Sequence, residues 1–149
     1  MRLATLANGI GKGVLAGVAG TAAMTISSTL EAKLRGRAFS SAPADAAAKV
    51  LGIKEFESEA AKSRFSNLVH WGYGTGWGVA RGVLRSVGLA PAAATRAHFG
   101  SVWGSELVML PALGVAPPAW RWGKEEVAID VFHHLVYVGA TAVAYELLD

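Results

Sequence analysis

The longest stretch of the chain without a charged side chain covers residues 13–30. A helix needs about 20 predominantly apolar residues to cross the roughly 30 Å hydrocarbon layer of a bilayer. We therefore predict a first transmembrane helix over about residues 10–30. Arg2 followed by an apolar run is also compatible with a secretory signal that is cleaved near residues 20–22, but the uncleaved helix is the favoured interpretation.

Three further segments, at about residues 65–89, 97–115 and 127–148, are also rich in apolar residues. A soluble bundle of unusually apolar helices is the alternative, but these segments lack the charged outer face that is typical of a soluble amphipathic helix. We therefore predict three more transmembrane helices. Each is interrupted by residues that are unusual in a membrane, namely His70, Arg81 and Arg85, then His98, Glu106 and Pro111, then Asp130, His133 and His134.

The connector, residues 31–64, differs from these segments because it contains many charged residues of both signs. Ser41, Pro43 and Asp45 are typical of a helix start, with a hydroxyl cap, a proline in the first turn and a nearby acid. Gly52 is typical of a helix end, and a second short helix is expected from Phe56 into the next span. Basic residues are more numerous on the connector side than on the side of the two termini, so the positive-inside rule favours a cytoplasmic connector.

The predicted fold is therefore all-α, a single transmembrane domain over residues 1–149. It is an integral membrane bundle of four transmembrane helices, with a short helical extramembrane connector between the first two. Hydrophobic residues make up 52% of the chain and charged residues 17%, below the roughly 25% of an average soluble domain. The basic residues are dispersed, which argues against a nucleic-acid partner. Cysteine is absent, which excludes disulfides and thiolate chemistry.

Glycines recur at a spacing of four residues in three of the predicted spans. This spacing places them on one face of a helix, where a neighbouring backbone can approach closely. Two interpretations remain open: a surface for assembly with copies of the chain or with another subunit, or ordinary packing inside the bundle. The glycines concerned are Gly9, Gly13, Gly17, Gly72, Gly74, Gly76, Gly78, Gly82, Gly100 and Gly104.

Ionisable residues inside the predicted spans are the second candidate feature, because charge is costly in hydrocarbon and such groups face protein or a water path. On the fourth span a polar stripe at helical spacing is formed by Asp130, His134, Tyr137, Thr141 and Tyr145. One interpretation is a proton or ion path; the other is a hydrogen-bonded stripe that fastens the helix to its neighbours. The path would use His70, Glu106, Asp130, His134 and Tyr137.

No catalytic residue, cofactor or metal is predicted from sequence motifs. Gly72 and Gly74 begin a dinucleotide-like pattern, but Trp77 stands where its third glycine is required. No serine lies in a nucleophile-elbow motif, and no zinc-binding His–Glu motif is present. His133 and His134 are adjacent and point apart on a helix; Asp130 with His134, completed by Glu106 or His98, would come closest to a metal site.

The C-terminal third resembles a known family. It contains Leu110-Pro111-x-x-Gly114-x-x-Pro117-Pro118, then Glu126 and His134-Leu135-Val136-Tyr137. This pattern is similar to that of the YagU-like bacterial inner-membrane proteins. The resemblance covers about residues 100–140, with a fainter echo at Ala42-Pro43. It implies a multi-pass protein of the bacterial inner membrane, in a family loosely linked with acid tolerance, and it supplies no mechanism.

The sequence thus predicts a small non-enzymatic multi-pass membrane protein. It would be an assembly or accessory subunit of a membrane complex, or a homo-oligomer, joined through its glycine-rich helix faces. Its partners would be membrane lipids and other subunits or copies of itself. The alternative is a proton or ion conduit that uses the intramembrane histidines and carboxylates.

Overall fold

The computed structural model describes residues 2–148, and over that range the chain is all-helical with no strand. This confirms the predicted all-α class. A 3₁₀ turn, Ala119–Arg121, precedes the last helix. The five α-helices are α1 (Leu3–Arg35), α2 (Ala42–Leu51), α3 (Glu59–Ser86), α4 (Pro91–Ala112) and α5 (Lys124–Leu147).

All four long helices begin earlier than the predicted spans at 10, 65, 97 and 127. The predictions marked the apolar stretches, whereas capping and turn residues decide where a helix begins and ends. Ser58 caps α3 by accepting a hydrogen bond from the backbone N–H of Ala61, and Pro91 opens α4. α1 continues to Arg35 and ends at Gly36, whose φ of 63° favours glycine.

The short connector helix α2 has the predicted Pro43 in its first turn and Gly52 at its end with a φ of 70°. The predicted hydroxyl cap is not formed, because the Ser41 hydroxyl donates to Asp45 instead of accepting from the backbone. Lys49 ties this helix to the end of α4. Its Nζ donates to the carbonyl oxygen of Leu113 at 2.7 Å and to that of Gly114 at 3.1 Å. A lysine at the C-terminus of a helix satisfies free carbonyl groups and interacts favourably with the helix dipole.

The four long helices form an antiparallel bundle. α1 packs against α3 on one side and α5 on the other, and α4 closes the bundle by contacting α3 and α5. α1 and α5 are long and apolar enough to cross a membrane. Within residues 2–148, α3 and α4 are not apolar enough to meet the same criterion. The predicted four-span bundle is therefore confirmed only as a helical bundle with two candidate spans.

The bundle buries several polar side chains beside small and apolar ones, and large apolar side chains lie on its outer surface. Arg81, His98 and Thr141 are fully buried. In contrast, Leu15 of α1, Leu68 of α3, Val108 of α4 and Val143 of α5 are each more than half exposed, and α1 and α5 expose further large apolar residues to the same degree. Soluble proteins bury most large apolar side chains and rarely bury an arginine completely, so Arg81 and the exposed leucines and valines depart from that pattern.

Candidate functional site

The interface between α1 and α3 is built from glycines on both helices. A Cβ atom added at Gly17 would lie 2.7 Å from the carbonyl oxygen of Thr75, and one added at Gly9 would lie 2.9 Å from that of Gly82. Gly74 would likewise overlap the side chain of Thr21. Six of the ten predicted glycines therefore serve packing within the chain: Gly9, Gly13, Gly17, Gly74, Gly78 and Gly82.

The other four predicted glycines do not pack against the rest of the described chain. A Cβ atom added at Gly72 or Gly76 of α3, or at Gly100 or Gly104 of α4, would meet no atom of residues 2–148 within 4 Å. Both pairs keep the four-residue spacing and lie on parts of α3 and α4 that leave room beside the backbone. They are the glycines of the predicted set that remain available to a partner.

The predicted polar stripe of α5 faces the interior. His134, Tyr137, Thr141 and Tyr145 are buried and Asp130 is half-buried. Two of its hydroxyl groups donate to backbone carbonyl oxygens, that of Tyr137 to Gly74 at 2.6 Å and that of Thr141 to Tyr137 at 2.8 Å. In the middle of the bundle the Tyr137 bond therefore links α5 to α3, and the Thr141 bond lies within α5.

At the connector end of the stripe, Glu106, Asp130 and His134 come together. We call these three residues the carboxylate–histidine cluster. His134 Nε2 lies 2.8 Å from Glu106 Oε2, and a ligand atom from each of the three residues lies within 4.8 Å of the others. α4 supplies Glu106, and α5 supplies Asp130 and His134 one turn apart. The arrangement can hold a proton or a cation between groups that all carry lone pairs.

Two residues predicted for the proton path lie elsewhere. His70 Nε2 is hydrogen-bonded to the Thr25 hydroxyl at 2.7 Å. The Tyr137 hydroxyl donates its hydrogen to the carbonyl oxygen of Gly74. His98, the alternative partner for a metal site, donates from Nε2 to the carbonyl oxygen of Trp77 at 2.9 Å. Of the five predicted path residues, the structure therefore unites only Glu106, Asp130 and His134.

Trp103, which was not predicted as a site residue, donates from its indole Nε1 to Asp130 Oδ2 at 2.8 Å.

An unpredicted ion pair lies at the other end of the bundle, between Arg81 and Glu146 at 2.9 Å. The Arg81 side chain is fully buried and also donates to the Thr95 hydroxyl at 2.9 Å. Arg81 and Glu146 lie on different helices far apart in sequence, so no spacing pattern could have linked them.

A surface ion-pair network joins α1 to α5 just beyond the apolar part of α1. Arg35 contacts Glu31 at 3.1 Å and Glu126 at 2.5 Å, and Arg37 also pairs with Glu31. Hydrogen bonds from Arg37, and then from Arg35, lower the pKa of Glu31 from 4.5 to about 2. A hydrogen bond from Arg35 also lowers the pKa of Glu126. Glu31 and Glu126 are therefore ionised at neutral pH, and their pairing with Arg35 holds the start of α5 against the end of α1.

Comparisons with family models, with curated proteins and with solved structures found no match to this chain. The resemblance of residues 100–140 to the YagU-like proteins gains no support from them and stays a prediction. The function proposed below therefore rests on the geometry of this chain.

Proposed function

We propose that this protein is a four-span membrane protein without enzymatic activity that serves as an assembly subunit. It would associate with copies of itself or with another membrane subunit through the outward glycines of α3 and α4. The two termini would lie on one side of the membrane and the connector on the other. The protein would reside in the inner membrane of a bacterium.

The exposed large apolar side chains and the fully buried Arg81 support the membrane part of this proposal. Lipid solvates exposed leucine and valine side chains, whereas water would leave large apolar surfaces open to aggregation. Ionisable residues inside a membrane protein face the protein interior and pair there, as Arg81 and Glu146 do. α3 and α4 each also have one large apolar residue that is more than half exposed, Leu68 and Val108, although α3 carries more polar residues than the other long helices.

The observation that carries the assembly part is the open space beside Gly72, Gly76, Gly100 and Gly104. Glycine inside a helix is about 1 kcal/mol less favourable than alanine. Glycine is nevertheless favoured where the backbone of another helix must come close, as between α1 and α3. Within residues 2–148 no such neighbour lies at these four positions, and they form two pairs at four-residue spacing, which the single Gly11 does not. A helix of another molecule would supply the neighbour.

Replacing Gly76 or Gly104 by leucine is expected to abolish association, because the larger side chain would prevent close approach of a partner helix. The protein would be extracted from its membrane in mild detergent and its particle mass and composition measured by native mass spectrometry. Gly11→Leu is the matched control, since Gly11 also has open space but lies on α1, outside the proposed faces. A wild-type particle that contains one copy of this chain alone would contradict the proposal.

A proton or ion conduit is the second candidate, favoured by the 2.8 Å contact between His134 and Glu106. Assembly is preferred because the hydroxyl groups of Tyr137 and Thr141 are bonded to backbone, which interrupts a chain of transferable protons.

If the conduit exists, Asp130→Asn and His134→Ala are expected to abolish proton flux into liposomes that contain the purified protein. His70→Ala is expected to preserve the flux, because His70 lies apart from the cluster. Flux that equals that of protein-free liposomes in the wild type would exclude the conduit.

A further inference from the structure

We propose that the carboxylate–histidine cluster of Glu106, Asp130 and His134 binds one divalent transition-metal ion, for which Zn²⁺ is the probe. The inference goes beyond the assembly function and does not depend on it. Sequence analysis predicted no metal, because the ligands come from two helices and follow no recognised spacing. The structure brings one potential ligand atom of each residue within 4.8 Å of the others.

The contacts of its two ring nitrogens orient His134 towards Glu106. Its Nδ1 lies 2.9 Å from the backbone carbonyl oxygen of Asp130. A carbonyl oxygen only accepts hydrogen bonds, so Nδ1 must carry the hydrogen. In the neutral imidazole the lone pair then lies on Nε2, which lies 2.8 Å from a carboxylate oxygen of Glu106. Nε2 is therefore aimed at the Glu106 carboxylate, where either a proton or a metal ion can bridge the two atoms.

The surroundings of these residues match those of metal ligands in proteins. A metal-binding histidine usually donates its other ring N–H to a backbone carbonyl or carboxylate, and ligating carboxylates are themselves hydrogen-bonded. His134 donates to the backbone of Asp130, and Trp103 donates to Asp130 Oδ2 at 2.8 Å. These bonds fix the imidazole through Nδ1. Asp130 Oδ1 lies 3.5 Å from that same nitrogen, and a rotation of the carboxylate would bring it to an ion held by Nε2.

The ligand set and its accessibility define the class of ion. Zn²⁺ binds histidine nitrogen and carboxylate oxygen at about 2.0–2.2 Å, and an open site completes its three protein ligands with water. The imidazole disfavours Mg²⁺ and Ca²⁺, which prefer oxygen ligands. The side chains of Glu106 and Asp130 are 21% and 23% exposed, whereas that of His134 is 9% exposed. An ion could therefore enter past the carboxylates and meet the histidine inside.

Equilibrium dialysis against Zn²⁺ followed by elemental analysis tests the proposal on the full-length protein in detergent. We expect about one Zn²⁺ per chain in the wild type, and loss of that ion in Glu106→Gln and Asp130→Asn. His70→Gln is the control and is expected to keep the ion, because His70 bonds to Thr25 away from the cluster. Trp103→Phe is expected to weaken Zn²⁺ affinity about 10–100-fold, as is typical when a residue that orients a ligand is removed.

A second measurement on the wild type covers the case in which a cluster variant fails to fold. X-ray absorption of the Zn²⁺-loaded protein is expected to show one imidazole among oxygen ligands. Absence of bound Zn²⁺ in the wild type would overturn the proposal and leave a proton shared by His134 and Glu106. Two or more imidazoles around the metal, or binding that survives in folded Glu106→Gln and Asp130→Asn, would overturn it as well.

Discussion

Gly78→Leu is expected to prevent stable packing of α1 against α3. A Cβ atom at position 78 would overlap the carbonyl oxygen of Gly13 and lie 2.5 Å from the Cα atom of Gly17. Both neighbours are backbone atoms of a helix, which cannot move aside individually. Overpacking by even one or two methylene groups costs about 1–3 kcal/mol, and leucine adds more. The midpoint of thermal unfolding in detergent, followed by circular dichroism, would fall sharply or no cooperative transition would remain.

Gly76→Leu is the matched control for this prediction, since it introduces the same side chain on the same helix two residues away. No atom of residues 2–148 lies within 4 Å of a Cβ atom at position 76. The unfolding midpoint is therefore expected to stay near the wild-type value when both proteins are diluted in detergent until they are monomeric. Gly76→Ala is expected to stabilise the helix by up to about 1 kcal/mol, because alanine has the higher helix propensity. Equal loss of stability at positions 76 and 78 would show that the α1–α3 interface is not the one described.

Glu146→Gln is expected to be the second strongly destabilising substitution, because it leaves the fully buried Arg81 without its carboxylate. Breaking a buried ion pair by removing one partner costs about 3–5 kcal/mol. Glu146 is about a third exposed, so solvent screens part of the interaction, and we expect about 2–3 kcal/mol. Thermal and denaturant unfolding of the purified variant would measure this loss.

The double variant Arg81→Met with Glu146→Gln tests whether the loss of stability in Glu146→Gln comes from the unpaired charge of Arg81. Methionine fills much of the arginine volume without a charge, so the double variant is expected to be more stable than Glu146→Gln alone. This coupling would appear in a double-mutant cycle. Additive losses in the two single variants would contradict a direct interaction between Arg81 and Glu146.

Several features followed from local sequence patterns. Runs of apolar residues predicted the four long helices, and Pro43 with Gly52 predicted the ends of α2, because helix starts and stops depend on neighbouring residues along the chain. The polar stripe of α5 was predicted from helical spacing for the same reason. The early starts of the long helices were missed, because a polar first turn contributes nothing to an apolar pattern.

Only the tertiary structure decided which glycines face another helix of the chain. Gly76 and Gly78 belong to ridges that look alike in sequence, yet one has open space and the other contacts Gly13 and Gly17. The rotation of α3 against α1 determines that difference, and it depends on packing over the whole bundle. The Arg81–Glu146 pair and the junction of Glu106 with Asp130 and His134 also join residues on separate helices. Sequence alone determined the helices and their polar faces, whereas packing between helices, which depends on three-dimensional distance, determined the sites.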